Sequence, residues 1–324
     1  MKVSIIIPVY QISAYIERCI CSVMAQNYTD IECIVVDDAT MDDSIKKCEQ
    51  LISAYHGPVQ FSIIHHKQNK GLSVARNTGT EVASGEYVFY LDGDDEITPD
   101  CIEKLVAPIL RDESIEMVMG GVARYDTSNP IPKETKAQYY PTNSAVRDYF
   151  FSKKGFYVGA WNKLINRFFL VRNQLFFTER LLYEDQLWTF LVVKHLSHLY
   201  RISDVTYMYY VRPNSIITGT DKEELTLNWA RVYKSIADNF TLEESGREAK
   251  HYARGLCVRY TEHSGCSELH EVAGRYLKEL TGIRFLPEFM LLKSTIVFSK
   301  YSIGRVMLQM IANVIRLSLR KNKY

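Results

Sequence analysis

Up to about residue 125 the chain alternates two spacings of apolar positions. Short β-branched or aromatic runs predict strands at 3–7, 32–36, 61–64, 86–91 and 116–122. Between them, Ile16, Ile20, Val23 and Met24 share one face of a helix, and Ile45, Cys48, Ile52 and Tyr55 share another. Thr40 and Asp43 have the spacing of a capping pair for that second helix. A third helix is predicted over 72–84, with Ala75, Gly79, Val82 and Ala83 on a small inward face. Thr98-Pro99 reads as the cap and first residue of a fourth, which leaves Asp100 a structural role. Strands that are apolar almost throughout, with helices between them, imply an α/β fold: a mostly parallel sheet covered on both sides.

Past residue 125 the pattern changes. A Pro- and Tyr-rich stretch (Pro130, Pro132, Tyr139, Tyr140, Pro141) predicts a loop over the sheet, followed by a helix near 144–152. Trp161-Asn-Lys-Leu-Ile165 comes next, then a helix opening at Tyr183-Glu184-Asp185, then a strand over 204–211 leading into Arg212-Pro-Asn-Ser215. Beyond residue 220 the pattern is helical. The division expected is a catalytic domain over 1–219 and a helical region over 220–324. With 47% hydrophobic and 24% charged residues, disorder throughout is excluded. A net charge of +1 argues against nucleic acid as the main partner. The 7 cysteines are odd in number and scattered through apolar segments, as reduced buried thiols are. Met1-Lys-Val-Ser-Ile-Ile-Ile-Pro8 reads as a strand rather than a signal peptide.

In an open parallel sheet, ligands bind at the carboxyl ends of the strands. Those ends carry Pro8-Val9-Tyr10, Asp37-Asp38, the segment 65–69 and Asp92-Gly-Asp94-Asp95-Glu96. Acidic residues after a strand also occur in solvated turns and at helix starts. Here four of them follow the apolar run 87–91 with no lysine or arginine between, a concentration of charge that a cation would relieve. Asp92 and Asp94 are therefore candidate divalent-metal ligands, and the ion would hold a phosphorylated ligand.

Five motifs, Ile5-Ile-Ile-Pro8-Val-Tyr10, Val35-Val-Asp37-Asp38-Ala-Thr40-Met-Asp42, Asn69-Lys-Gly71-Leu-Ser-Val-Ala75-Arg76-Asn77, Leu91-Asp92-Gly-Asp94-Asp95 and Glu184-Asp185, occur in the order and near the spacing seen in family 2 glycosyltransferases. The resemblance covers roughly residues 1–215. It implies the GT-A fold, a Rossmann-like mostly parallel sheet flanked by helices, here with a helical C-terminal extension. It implies a nucleoside-diphosphate sugar donor, usually UDP-sugar, and Mn2+ or Mg2+. By that resemblance Tyr10 stacks on the base beside Pro8, Asp38 accepts the base imide N–H, and Asn69 and Arg76 reach the base edge, Arg76 also fixing Asp38. Asp37 is expected to be held at the turn, while Gly71 and Gly79 allow close approach. Asp92 contacts the ribose region and joins Asp94 at the metal, with Asp95 behind them. Arg212 and Ser215 close over the diphosphate, and Lys163 lines the sugar subsite. Asp185 is the general base of an inverting displacement, and Glu184 positions hydroxyls.

The implied activity is transfer of a hexosyl or N-acetylhexosaminyl group to a saccharide or lipid-linked saccharide in polysaccharide biosynthesis of a capsule or cell envelope. A non-catalytic nucleotide-sugar-binding or scaffold protein on the same fold is the alternative, and Glu184-Asp185 argues against it. An aspartate-nucleophile phosphohydrolase wants Thr or Val where Glu96 stands, and a dinucleotide-binding oxidoreductase needs a GxGxxG turn that Pro8-Val-Tyr10 replaces. After Glu288 no acidic residue follows. Ile303, Val306, Met307, Met310, Ile311, Val314 and Ile315 form a stripe among Lys and Arg, a basic amphipathic pattern over 300–324. It suits peripheral contact with the cytoplasmic face of an inner membrane, or packing on the catalytic domain or in a homodimer. The expected location is cytoplasmic.

Overall fold

The computed structural model describes residues 1–126, 129–132, 136–152, 156–212, 220–241, 243–262 and 266–280. The strands are β1 (Val3–Val9), β2 (Ile31–Asp37), β3 (Gln60–His65), β4 (Tyr87–Tyr90), β5 (Glu96–Ile97), β6 (Met117–Asp126), β7 (Asn129–Pro132), β8 (Gln138–Tyr140), β9 (Lys163–Asn166) and β10 (Leu199–Tyr210). The helices are α1 (Ile16–Met24), α2 (Ser44–Ala54), α3 (Leu72–Val82), α4 (Cys101–Arg111), α5 (Asn143–Phe151), α6 (Arg167–Arg172), α7 (Glu184–His195), α8 (Lys222–Asp238), α9 (Ser245–Glu262) and α10 (Ser267–Leu280).

Among the described residues the strands join in one sheet of order β3-β2-β1-β4-β9-β6-β10-β5, with β7 on β6 and β8 on β10. β1 is parallel to β2 and β4, β2 to β3, and β6 to β10. β9 lies antiparallel between β4 and β6, so those two also run the same way and the sheet is mostly parallel. Every residue of β1 is buried, as a central strand covered on both faces requires. α3 packs on β1 and β2, α4 on β6, β9 and β10, and α1 against α2 and β5.

Several local expectations shift. α3 buries Ala75, Arg76, Gly79 and Thr80, while Val82 is 51% exposed. The buried face follows steps of four residues (75, 79, 83 and 76, 80), and Val82 falls off that ladder. Gly79 allows close approach as expected: a Cβ there would meet Ile6 Cγ2 at 2.3 Å. Gly71 serves otherwise, since a Cβ there would meet nothing within 4 Å, but its φ of 90° is left-handed. The start of α2 is tied by Asp42 rather than by a Thr40–Asp43 box. Asp42 accepts from Thr40 Oγ1 at 2.8 Å, Ser44 Oγ at 2.5 Å and the Ser13 N–H at 2.9 Å. α4 begins at Cys101, and Thr98 Oγ1 donates to Asp100 at 2.7 Å instead of capping the helix.

Two compact units result. One comprises Met1–Arg147, Val158–Arg180 and Leu191–Pro213 and holds the whole sheet. The other comprises Asp148–Tyr157, Leu181–Phe190 and Asn214–Tyr324; in it α10 packs on α8 and α9 around Tyr233, Tyr252 and Tyr276. The last segment of the first unit ends at Pro213, and two short earlier segments group with the second unit.

Candidate active site

β1, β2 and β3 end level, with Val9 beside Asp37 and Asp37 beside His65. Pro8 is buried in β1, and Tyr10 follows with 41% of its surface exposed, a ring free to take a planar group. Asp37 accepts the Thr40 N–H at 2.9 Å and faces His65 Nδ1 at 2.8 Å, so it is held at the turn. Asp38 is 2% exposed. Its carboxylate takes the Lys70 and Gly71 N–H groups at 2.8 and 2.7 Å and faces His66 Nδ1 at 2.7 Å. His66 Nε2 in turn meets Thr78 Oγ1 at 3.0 Å. These bonds press the 66–71 loop onto the strand ends and set the first turn of α3. Asn69 sits exposed on that loop.

The carboxylate that Arg76 grips is Asp92, at 2.8 Å, rather than the expected Asp38. α3 carries Arg76 inward towards the end of β4, while Asp38 spends its oxygens on backbone N–H groups. The guanidinium is 1% exposed and lies 5.2 Å from the ring of Phe177.

The acidic loop after β4 is an ordered structure. The Asp95 N–H closes a turn onto Asp92 O at 3.0 Å. Asp95, 1% exposed, accepts from Tyr207 Oη at 2.7 Å and from the Tyr210 N–H at 2.8 Å, so it ties the loop to β10. Burial, then Asp92 and Asp94, push its carboxyl up to about 8. Tyr207 Oη also accepts the Asp92 N–H at 3.3 Å. Trp161 stacks on Tyr207 and Tyr209 at 4.8 and 5.7 Å and backs that contact. Burial and neighbouring Asp92 raise the Asp94 carboxyl, with Arg212 opposing. Arg212 Nε donates to Asp94 Oδ2. Arg18, from α1, pairs with Glu96 at 2.8 Å, donates to Asp94 O at 2.5 Å and lies 3.6 Å over the Tyr210 ring.

Arg18 of α1, Arg76 of α3 and Arg212, just past β10, thus pair with Glu96, Asp92 and Asp94. Arg18 and Tyr207 carried no chemical signal in the sequence, because pairings across dozens of residues exist only once the sheet is built. His66 stood in the strand-end segment already singled out, and its two partners are what give it a role. Lys163 is 1% exposed, with its ammonium on the carbonyls of Gly159 and, at 3.4 Å, Trp161. A lysine so buried and tied to backbone holds the 159–163 turn.

Glu184 and Asp185 belong to the second unit, in the first turn of α7. Tyr183, just before them, has a left-handed φ of 62° and stacks on Trp229 at 4.2 Å. The Leu182 N–H donates to Asn228 Oδ1 at 3.0 Å. A strained backbone anchored on α8 therefore presents the acidic pair. Ser215 and the amphipathic segment 300–324 lie outside the described residues.

Among the described residues no three His, Cys, Asp or Glu side chains gather as a metal cage. A hard cation such as Mg2+ needs only one or two carboxylates when phosphate oxygens and water complete its shell. Asp94, with Asp92 beside it, fits that arrangement.

A sheet of this order with an acidic loop at its carboxyl edge is the GT-A architecture, and the profile of glycosyl transferase family 2 matches residues 4–172, more than half the chain: the protein belongs to that family. It is similar to glycosyltransferase GlyG of Streptococcus pneumoniae serotype 4 (strain ATCC BAA-334 / TIGR4), 25% identical over 239 residues, 71% of this chain and 76% of that one. In fold it resembles S. aureus TarS 1-349 in complex with UDP-GlcNAc, with a TM-score of 0.69 at 20% identity over 100% of this chain and 93% of that one. GalNAc-T7 with UDP, GalNAc and Mn2+ gives a TM-score of 0.57 at 17% identity, over 85% of this chain and 54% of that one.

Proposed function

We propose that this glycosyltransferase is an inverting, divalent-metal-dependent enzyme that moves a hexosyl or N-acetylhexosaminyl group from a UDP-sugar to a saccharide or lipid-linked saccharide acceptor. The observation that carries this reading is the paired charge at the end of β4. Arg76 on Asp92 and Arg212 on Asp94 form a balanced set at the strand ends, close to the exposed Tyr10. Such a set suits a diphosphate, which brings anions to the arginines, together with a cation for the carboxylates. The solved structures similar in fold hold UDP-GlcNAc in one case and UDP, GalNAc and Mn2+ in the other, which supports an N-acetylhexosamine donor and Mn2+.

In this reading the base stacks on Tyr10 beside Pro8, with Asn69 at its edge. Asp38 and His66 hold the loop that frames it. Asp92, fixed by Arg76, faces the ribose. Asp94 and Asp92 would hold the divalent ion, which neutralises charge on the leaving diphosphate. Arg212 and Ser215 bind that diphosphate. Asp185 takes the proton of the acceptor hydroxyl as its oxygen attacks the anomeric carbon, and the bond from that carbon to the phosphate oxygen breaks on the opposite face. Glu184 orients sugar hydroxyls.

The setting we propose is envelope polysaccharide assembly at the cytoplasmic face of a membrane, supported by the basic amphipathic sequence of 300–324. No helix among the described residues is long and apolar enough to cross a membrane.

The test is UDP release from UDP-GlcNAc, UDP-GalNAc and UDP-glucose with Mn2+, for the full chain and Asp185→Asn. The variant should lose transfer by a factor on the order of 10²–10⁴ while UDP affinity stays within a few-fold. Near-full turnover in the variant removes Asp185 as base. No turnover by the unaltered chain, with UDP still bound, favours a binding or scaffold role.

A further inference from the structure

The three arginines at the acidic loop are not held alike. Arg76 is 1% exposed inside α3 and fixed on Asp92 at 2.8 Å. Arg18 has Glu96 at 2.8 Å, the Asp94 carbonyl at 2.5 Å and the face of Tyr210 at 3.6 Å. Among the described residues Arg212 makes an ion pair to Asp94 and a ring contact 5.6 Å from the centroid of Tyr15. Both ion-pair partners keep a fifth of their side-chain surface in solvent, at 20% and 21%.

The backbone below Arg212 is pinned. The Val211 N–H donates to Tyr125 O at 3.0 Å and the Tyr210 N–H to Asp95 at 2.8 Å. What can change partner is the guanidinium alone, swinging from a fixed base at the end of β10. Asp94 is also the carboxylate best placed for a divalent ion, so a guanidinium and a metal compete for the same oxygen. An arriving cation would evict Arg212 and leave two positive groups side by side. A diphosphate arriving with it supplies the evicted arginine with new acceptors.

Resting on the donor and metal reading above, we propose that Arg212 is an exchangeable counter-ion: it neutralises Asp94 while the site awaits donor and passes to the diphosphate when a divalent ion takes Asp94. One side chain thereby couples the two ligands. Metal alone binds weakly because it must displace Arg212, and metal with nucleotide binds well because the displaced group is satisfied. Coupling between ligands is reciprocal, so each raises the affinity of the other by one factor, typically 5- to 150-fold.

Titration calorimetry on the full chain tests this with Mn2+ alone, UDP alone, and each in the presence of the other. Arg212→Ala and Arg212→Gln should bind Mn2+ alone several-fold more tightly than the unaltered protein, an opposite sign to a simple loss of a site residue. In the same variants the coupling factor should fall several-fold, leaving the part carried by direct contact between the ion and the diphosphate. Arg212→Lys, which keeps charge without the planar fork, should lie between. Asp94→Asn separates this idea from the reading beneath it. If Mn2+ binding is lost in Asp94→Asn while Arg212→Ala and Arg212→Gln leave Mn2+ affinity and coupling unchanged, the exchange is wrong and the metal site stands. If Asp94→Asn binds Mn2+ as the unaltered protein does, both fall.

Discussion

Glu32 shows how much one carboxylate can hold together. It lies in β2 and accepts from Ser4 Oγ at 2.5 Å, the Ser84 N–H at 2.6 Å, Ser84 Oγ at 2.7 Å, the Gly85 N–H at 3.1 Å and Lys2 at 3.0 Å. Burial alone would raise its carboxyl, but the bonds from Ser4, Ser84 and Lys2 outweigh burial and bring it to about 2. A folded value below the unfolded one means the stabilisation is complete above about 4.5 and drains away as pH falls towards 2. Because the group is partly solvated, Glu32→Gln should cost only about 1–2 kcal/mol near neutrality. Urea unfolding followed by circular dichroism should show the gap to the unaltered protein narrowing as pH falls below about 4.5. A gap that does not change with pH would assign the loss to packing instead. At this scale the sequence was partly legible. Asp92, Asp94 and Asp38 announced themselves by clustering at strand ends. Their partners did not, because several carboxylates and arginines competed on paper and only the direction of α3 decides that Arg76 meets Asp92.

Between elements, α3 packs closely on β1. Gly79 faces Ile6, whose β-branched side chain has little rotamer freedom to yield. Gly79→Ala places a methyl 2.3 Å from Ile6 Cγ2, so overpacking should cost roughly 1–3 kcal/mol despite the better helix propensity of alanine. Thermal unfolding checks the sign: a stabilised variant would mean that α3 and β1 do not pack so closely. The strain would also reach the site, since α3 carries Arg76 and opens at the loop held by Asp38. Strand and helix order was readable from periodicity because burial on both faces of a sheet leaves few alternatives. Exact starts were not, as α2 and α4 show: side chains such as Asp42 and Thr98 choose among several nearby backbone donors once the chain has folded.

Across the molecule, the acidic loop and the strand-end residues lie in the sheet unit, while the Glu184-Asp185 turn is anchored within the helical unit by Asn228 and Trp229. The anchor on α8 was not visible beforehand, since nothing in the sequence links residue 182 to residue 228. The five ordered motifs made the glycosyltransferase family legible where the supporting contacts were not. In the proposed mechanism Asp94 is the carboxylate that would share a divalent ion with the donor's diphosphate. Anomalous diffraction at the manganese edge, from crystals of the full chain grown with Mn2+ and UDP, tests this directly. The expected result is one strong peak within coordination distance of an Asp94 carboxylate oxygen and of the diphosphate, with Arg212 turned from Asp94 onto the diphosphate. Manganese and UDP lodged away from the β4 loop, with the Arg212–Asp94 pair intact, would contradict it.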